Sequence, residues 1–357
     1  MYNAKERFLH GFVLRMESNW RNKTIRISLI LVLAGIVLAV FCLMVGYQFY
    51  GPKVLIETLR GGGDEQIREI IWTLRFSRLM MAFEVGAALA LSGLALQSLL
   101  KNPLVDPYLI GASSGAAFGA ALIMVFIPPG VGLAVLGFGL KFALSAMAFL
   151  GALGAITFLY ISSFRKGDFS TKRLILMGVV LGAFLSSLVA LLIFIRGESI
   201  RQVIFWLMGS LENAPSGGWK ILGIVLIAGW VFLFTRSWRL NLLSQGESTA
   251  LGLGVRVASL KREILITSAV LTASAVSMSG VIGFVGLIVP HFFRMIFGPD
   301  NRLLIPVTGL GGGILLMAAD LLARPALHPE ELPIGIITTI LGAPFFWLVL
   351  KTPAAER

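Results

Sequence analysis

The sequence predicts an all-α integral membrane protein of about ten transmembrane helices. Three observations carry that expectation. Of 357 residues, 57% are hydrophobic and only 13% charged, about half the charged share of a soluble domain. Mean hydropathy is +0.89. The apolar residues also fall into runs that can cross a hydrocarbon core of about 30 Å at about 1.5 Å per helical residue. Glycine is abundant, with 40 residues, as close helix packing in lipid favours.

The elements follow in order. Residues 1–26 are polar and basic, and an uncharged run follows from Ile27 to Tyr47. The run exceeds a signal-peptide core and no small-residue cleavage site follows it, so the first helix reads as uncleaved. Further spans are predicted at Leu79–Leu99, Leu109–Phe126, Phe142–Ile161, Leu174–Ile195, Ile221–Thr235, Ile264–Gly283, Phe284–Phe297, Leu303–Leu322 and Leu332–Leu350. This gives one transmembrane domain over 27–351, after a cytoplasmic segment and before a cytoplasmic tail at 352–357. Gly280, Gly283 and Gly286 leave two readings open, a break between helices or a re-entrant segment.

Ten crossings put both termini on one side. With the termini in the cytoplasm, the inner segments hold 20 of the 30 Lys and Arg residues and the outer segments 10. Basic residues collect on the cytoplasmic side of a plasma membrane. The bias supports that orientation and accounts for a net charge of +12 without nucleic acid. Ala88–Gly93 echoes Ala275–Gly280 in helices expected to run in opposite directions, as an inverted repeat would produce.

Several chemistries are disfavoured. Cys42 stands alone, so it forms no disulfide framework and reads as a small apolar residue. His10, His291 and His328 are too scattered for a metal or haem ligand set. No Gly-Lys pair occurs, so there is no Walker A loop for ATP. No nucleophile, base and orienting group converge, and an enzyme reading has no residues to stand on. No cofactor or metal is expected on this chain.

The remaining motifs admit a packing reading and a functional one. Gly111, Gly115 and Gly119 share a helix face and suit close helix approach. Gln97–Tyr108 joins helices two and three, with Pro103 and Pro107 breaking the helix and Asn102 and Asp106 able to bond freed backbone. Leu240–Val255 is amphipathic and punctuated by Gly246, Gly252 and Gly254. Leu242, Leu243, Leu251 and Leu253 would be exposed there unless a partner's groove, or the membrane interface, covered them. Glu84 lies one or two turns inside helix two, where an ionisable group suggests function, although Arg75 and Arg78 place it near an interface. Asp320 and Arg324 are spaced to pair along one helix, close to Glu330 and Glu331.

The chain then resembles the FecCD-type permease family, the membrane subunits of importers for ferric siderophores, haem and vitamin B12. Three stretches carry the resemblance: GAALALSGLALQSLLKNPLVDPYLIGASSG over Gly86–Gly115, Leu240–Val255, and Gly280–Phe346 with GVIGFVGLIVPHFFRMIFGPDNR and EELPIGIITTILGAPFF. The resemblance covers roughly residues 70–351.

The resemblance implies a type II importer permease fold with ten helices per subunit, a homodimer with the path on its two-fold axis, two separate ATPase subunits and an extracytoplasmic substrate-binding protein. ATP and Mg would sit on the ATPases. Helix five would line the path with Gly178, Gly182, Ser186 and Ser187, and the Ser170–Thr171 turn matches the family's cytoplasmic gate. Leu240–Val255 matches the ATPase-docking loop, with Leu242, Leu243, Gln245, Gly246 and Glu247 as candidates. Arg75, Arg78 and Arg324 match outward arginines that pair with acids on the binding protein. Apart from the resemblance, they could equally anchor lipid phosphate. The cargo it implies is a ferric siderophore first, then a corrinoid, then haem.

Two departures stand out. Ser77 replaces the family's usual proline between the two arginines, and Glu84 replaces an apolar residue. The rival from another class is an ion-gradient carrier using Glu84 and Asp320. An apolar cytoplasmic loop argues against it, because a stand-alone carrier needs no docking surface.

Overall fold

The computed structural model describes residues 2–46, 48–127, 139–165, 168–169, 171–195, 200–212, 214–215, 217–326 and 331–351. The helices are α1 (Tyr2–Met44), α2 (Pro52–Leu59), α3 (Glu65–Glu69), α4 (Ser77–Leu100), α5 (Ala112–Phe126), α6 (Leu140–Ser163), α7 (Thr171–Ile195), α8 (Ile200–Leu207), α9 (Gly218–Gln245), α10 (Glu247–Gly252), α11 (Val257–Ser279), α12 (Val285–Phe297), α13 (Asn301–Ala323) and α14 (Ile334–Lys351). A two-residue antiparallel pairing, Phe164–Arg165 with Asp168–Phe169, links α6 to α7. Each predicted span coincides with one of these helices. Six helical runs are long and apolar enough to cross a membrane by length and composition. Ala112–Phe126, Val285–Phe297 and Ile334–Leu348 are shorter apolar helices.

The boundaries moved in three places. Helix α1 absorbs most of the polar lead as well as the first apolar run. The helix predicted from Leu79 begins earlier: α3 passes through a π-helical stretch at Ile70–Phe76 directly into α4. Serine at 77 permits this, because it retains the N–H that proline lacks and adopts helical angles, φ −60° and ψ −42°. Helix α9 runs beyond the predicted Thr235 to Gln245, and Arg236 there is neutralised by Glu263 at 2.8 Å.

Helix α4 is the centre of the fold. Nearly every residue from Leu79 to Leu100 is buried, among α9, α11, α12 and α13. Small residues make this approach geometrically possible. A Cβ added at Gly93 would overlap the Gly286 backbone, and one at Gly86 would overlap Gly312. The two echoing segments lie on neighbours, α4 and α11. These helices are joined by a hydrogen bond between Ser92 Oγ and Thr272 Oγ1 at 2.7 Å and by Ser92 Oγ donating to the Ser268 carbonyl at 3.0 Å. The Gly115 and Gly119 stripe packs α5 onto the α6 backbone at Gly151 and Met147, the packing role.

Between α11 and α12 the chain is unwound rather than continuous. Gly280 and Phe284 both take φ +69°, and the extended backbone is held by its neighbours. Tyr108 Oη accepts from the Ile282 N–H at 3.0 Å, and Ser210 N–H donates to the Ser279 carbonyl at 2.8 Å. Buried backbone without helix is tolerated at such depth only when it is satisfied like this. Cys42 is buried and faces helix α13, 3.8 Å from the Met317 carbonyl.

Candidate functional site

Helices α4 and α13 run antiparallel. Arg78 of α4 meets Asp320 of α13 at one end, and Ser98 meets Asn301 at the other. These two polar ends, about 30 Å apart along a 24-residue helix, hold most of the candidate residues.

At the first end the three arginines face inward more than the sequence suggests. Arg75, 8% exposed, donates to the carbonyls of Leu43 at 2.7 Å, Met44 at 2.9 Å and Gln48 at 2.5 Å. Its guanidinium lies 4.4 Å from the Tyr50 ring centroid. Arg324, 9% exposed, binds the Asp320 carboxylate and donates to the carbonyls of Cys42 at 2.9 Å and Val45 at 3.2 Å. The last carbonyls of a helix have no partner within it, and α1 ends at Met44. Two guanidinia therefore cap α1 and tie it to α4 and α13. The expectation of three outward cations is corrected for Arg75 and Arg324.

Arg78 differs. It bonds Asp320 at 2.9 Å and Glu331 at 2.7 Å, and it also lines a cavity of about 600 Å³ with Lys141 and Trp219. Glu330 lies outside the described residues. Asp320, held between two guanidinia, is a structural counter-ion. Glu84 is buried and forms no ion pair among the described residues. Its Oε2 finds no hydrogen-bond partner among the described residues, and a Cβ at Gly223 of α9 would lie 2.8 Å from Oε1.

At the opposite end the candidate docking stretch, Leu240–Val255, divides in two. Leu243 is fully buried and Leu242 packs against the same core, because α9 keeps its helical phase through Gln245. The expectation that these two leucines are exposed is corrected. The chain turns only at Gly246, φ +140°, a conformation glycine reaches without the Cβ clash. The short helix α10 follows, with Ala250 buried, Leu251 60% exposed and Leu253 63% exposed. Gln245 is exposed. Glu247 is half exposed and bonded to Lys261 at 2.7 Å, which fixes the start of α10 to α11.

On α7 the path candidates separate. Gly178 is buried and Gly182 half-buried, the latter beside Ser114 of α5. Ser186 and Ser187 are exposed, and Ser187 Oγ donates back to the Ala183 carbonyl at 2.9 Å. They share the open side with Val179, Val180 and Phe184. Thr171 opens α7, and Ser170 lies outside the described residues. Among the described residues no group of His, Cys, Asp and Glu could hold a metal.

Sequence reasoning missed a polar network at the α10 end. Gln97, 1% exposed, donates to the carbonyls of Val105, Gly286 and Leu287 at 3.2–3.3 Å and accepts from Arg294 at 3.3 Å. Ser98 bonds Asn301 at 2.9 Å, Asn301 bonds Asn241 at 2.8 Å, and Asn241 bonds Asp300 at 2.7 Å. A glutamine ending an apolar run was the available signal.

The FecCD transport family matches residues 31–352. An uncharacterised ABC transporter permease of Bacillus subtilis, YvrB, is 41% identical over 81% of this chain and 81% of its own. A vitamin B12 import permease of Vibrio cholerae, BtuC, is 34% identical over 96% of this chain and 98% of its own. A solved inward-facing structure described as a metal-chelate type ABC transporter superposes with a TM-score of 0.80 at 34% identity, covering 92% of this chain and 99% of that one. With its central small-residue helix, unwound α11–α12 joint and glycine-hinged α10, the chain belongs to the FecCD transport family and is a membrane permease subunit rather than an enzyme.

Proposed function

We propose that this chain forms the translocation path of an ATP-driven metal-chelate importer, as a homodimer in the plasma membrane with both termini in the cytoplasm. Two separate ATPase subunits, carrying ATP and Mg, bind at the α10 end. An extracytoplasmic binding protein docks at the Arg78 end. The observation that carries this reading is α10. Leu251 projects from a six-residue helix set by a glycine hinge and braced by Glu247 and Lys261, and the exposed Leu253 directly follows it. An apolar lobe so placed suits a partner's groove. The 20-to-10 charge bias supports the orientation.

The test follows from the exposures. Leu251→Asp/Leu253→Asp removes the apolar contact and sets charge against the partner's groove without touching this chain's core, unlike changes at Leu242 or Leu243. The variant should insert and fold, yet lose its ATPase during purification in detergent and cease transport. An intact, transporting complex would overturn the reading.

The open face of α7, with Ser186 and Ser187, supports a path shared between two copies. At the other end docking centres on Arg78, because Arg75 and Arg324 are occupied by α1. The proposed cargo is a metal chelate, in keeping with the B12 permease and the metal-chelate transporter it resembles. Titrating the cognate binding protein with ferric siderophores, then corrinoids, then haem identifies which.

A further inference from the structure

Beside α10, at the end of α4, lies a notch of about 610 Å³. Among the described residues two cations line it, Lys101 and Arg294, and no carboxylate does. Arg294 is partly buried on α12. Its guanidinium donates to the neutral side-chain oxygen of Gln97 at 3.3 Å, and it has no ion pair among the described residues. A guanidinium carries five donors, and a cation withdrawn from water is stabilised only when an anion and good hydrogen bonds compensate it. The nearby acid is otherwise engaged: Asp300 is held by Arg302 at 2.7 Å and by Asn241 at 2.7 Å.

The notch is also built to hold its shape. Gln97 fixes the guanidinium from one side while its own amide grips the first turn of α12 at the Gly286 and Leu287 carbonyls. The Ser98–Asn301–Asn241 chain supports the wall. Lys101 terminates α4 in the left-handed region, φ +51°, where glycine or asparagine is the easier residue. A lysine kept there at some backbone strain fits a side chain with a task.

We infer that this notch receives a carboxylate side chain of the ATPase partner. The inference rests on the docking reading above, to which it adds an ionic contact beside the apolar one. The notch wall includes Ser244, two residues before the hinge of α10, so the two surfaces are continuous. The charge is complementary to an acid, and Arg takes a carboxylate with two parallel hydrogen bonds. One rigid contact on α4 and α12 next to a hinged contact on α10 gives the partner two levers, one at the core helix and one at the loop.

The experiment uses the full chain in nanodiscs of phosphatidylcholine, with and without anionic phosphatidylglycerol, and with the cognate ATPase subunit added at low and high salt. Arg294→Gln should weaken ATPase binding roughly tenfold at low salt and by less at high salt, as a lost charge pair at an interface does. The variant should unfold at no lower temperature than the parent, because an uncompensated cation has been removed. A photocrosslinker at Met295 should mark the ATPase. Unchanged affinity in Arg294→Gln, or crosslinking only to lipid or to a second permease copy, overturns the inference. So does affinity lost only when anionic lipid is withheld, which would identify a headgroup phosphate as the occupant. Leu251→Asp/Leu253→Asp is measured alongside. If it binds normally while Arg294→Gln does not, the α10 reading fails and the notch stands; the reverse result removes the notch alone.

Discussion

Helices α4 and α7 are nearly equal in length, 24 and 25 residues, and both are strongly apolar. Their surroundings are opposite. Helix α4 is enclosed by α9, α11, α12 and α13, whereas α7 leaves Leu176, Val179, Val180, Phe184 and Leu191 on an open side. In water such a difference would appear as hydropathy, because apolar surface would be hidden. In lipid, exposed apolar side chains cost nothing, and burial is governed by how closely backbones can approach. Side-chain size therefore separates the two. On α4, Gly86 and Gly93 stand where the backbones of α13 and α12 come closest; the open side of α7 carries leucine, valine and phenylalanine.

The largest expected effect lies where α4 is pinned. Asp320→Asn leaves Arg78 and Arg324 without their shared counter-ion in a site where Asp320 is 0% exposed. Breaking one side of a buried pair costs about 3–5 kcal/mol. The capping of α1 should fail with it, seen as a large fall in the unfolding temperature in detergent and protease sensitivity near residue 45. A variant as stable as the parent would mean that Arg75 alone holds that end.

Next comes the direct contrast between the two helices. Gly93→Ala drives a methyl into the Gly286 backbone, whereas at Gly182 of α7 the nearest atom to an added Cβ is Ser114 Oγ at 3.7 Å, an ordinary contact. Overpacking against backbone costs about 1–3 kcal/mol or more, and an unstrained surface change stays within about 0.5 kcal/mol. Thermal unfolding of the two variants should differ by that margin. Equal stabilities would erase the distinction between a packed helix and an open one.

The smallest effect is a pH dependence at the start of α13. Burial raises the Asp300 carboxyl, but hydrogen bonds from Arg302 and Asn241 outweigh it and hold the group below the usual carboxylate range. A carboxyl depressed in the folded state contributes stability above its unfolded pKa of about 3.9 and loses it as pH falls through the folded value. Asp300→Asn should therefore lower the unfolding temperature slightly at neutral pH and leave it unchanged in strong acid. A constant difference across that range would assign the effect to the helix cap alone.

Much was legible without coordinates. The ten apolar runs, the Gly115 and Gly119 packing contacts and the break near Gly283 follow from local chemistry: run length, small-residue spacing and glycine's freedom at positive φ; Gly111, expected on the same helix face, instead precedes α5 at φ +74°. Leu242 and Leu243 were not legible, since their exposure depended on where α9 ended, and helix termini are the least determined feature of an apolar run flanked by charges. The arginines failed for a related reason. Composition shows a cation at a helix end but not whether the nearest acceptors are carbonyls of its own chain or acids of another.

By itself, then, the sequence determined that the chain lives in lipid, where its helices fall, and which family it resembles. Each of these is set by residues within a turn or two of one another. Only the tertiary structure decided that Arg75 and Arg324 cap α1, that Asp320 serves two guanidinia, that Leu251 and Leu253 are the leucines left bare, and that Arg294 and Lys101 share a notch lined by no acid. Those pairings join residues up to 282 positions apart. Their partners are fixed by how the helices pack, a property no local run of residues carries.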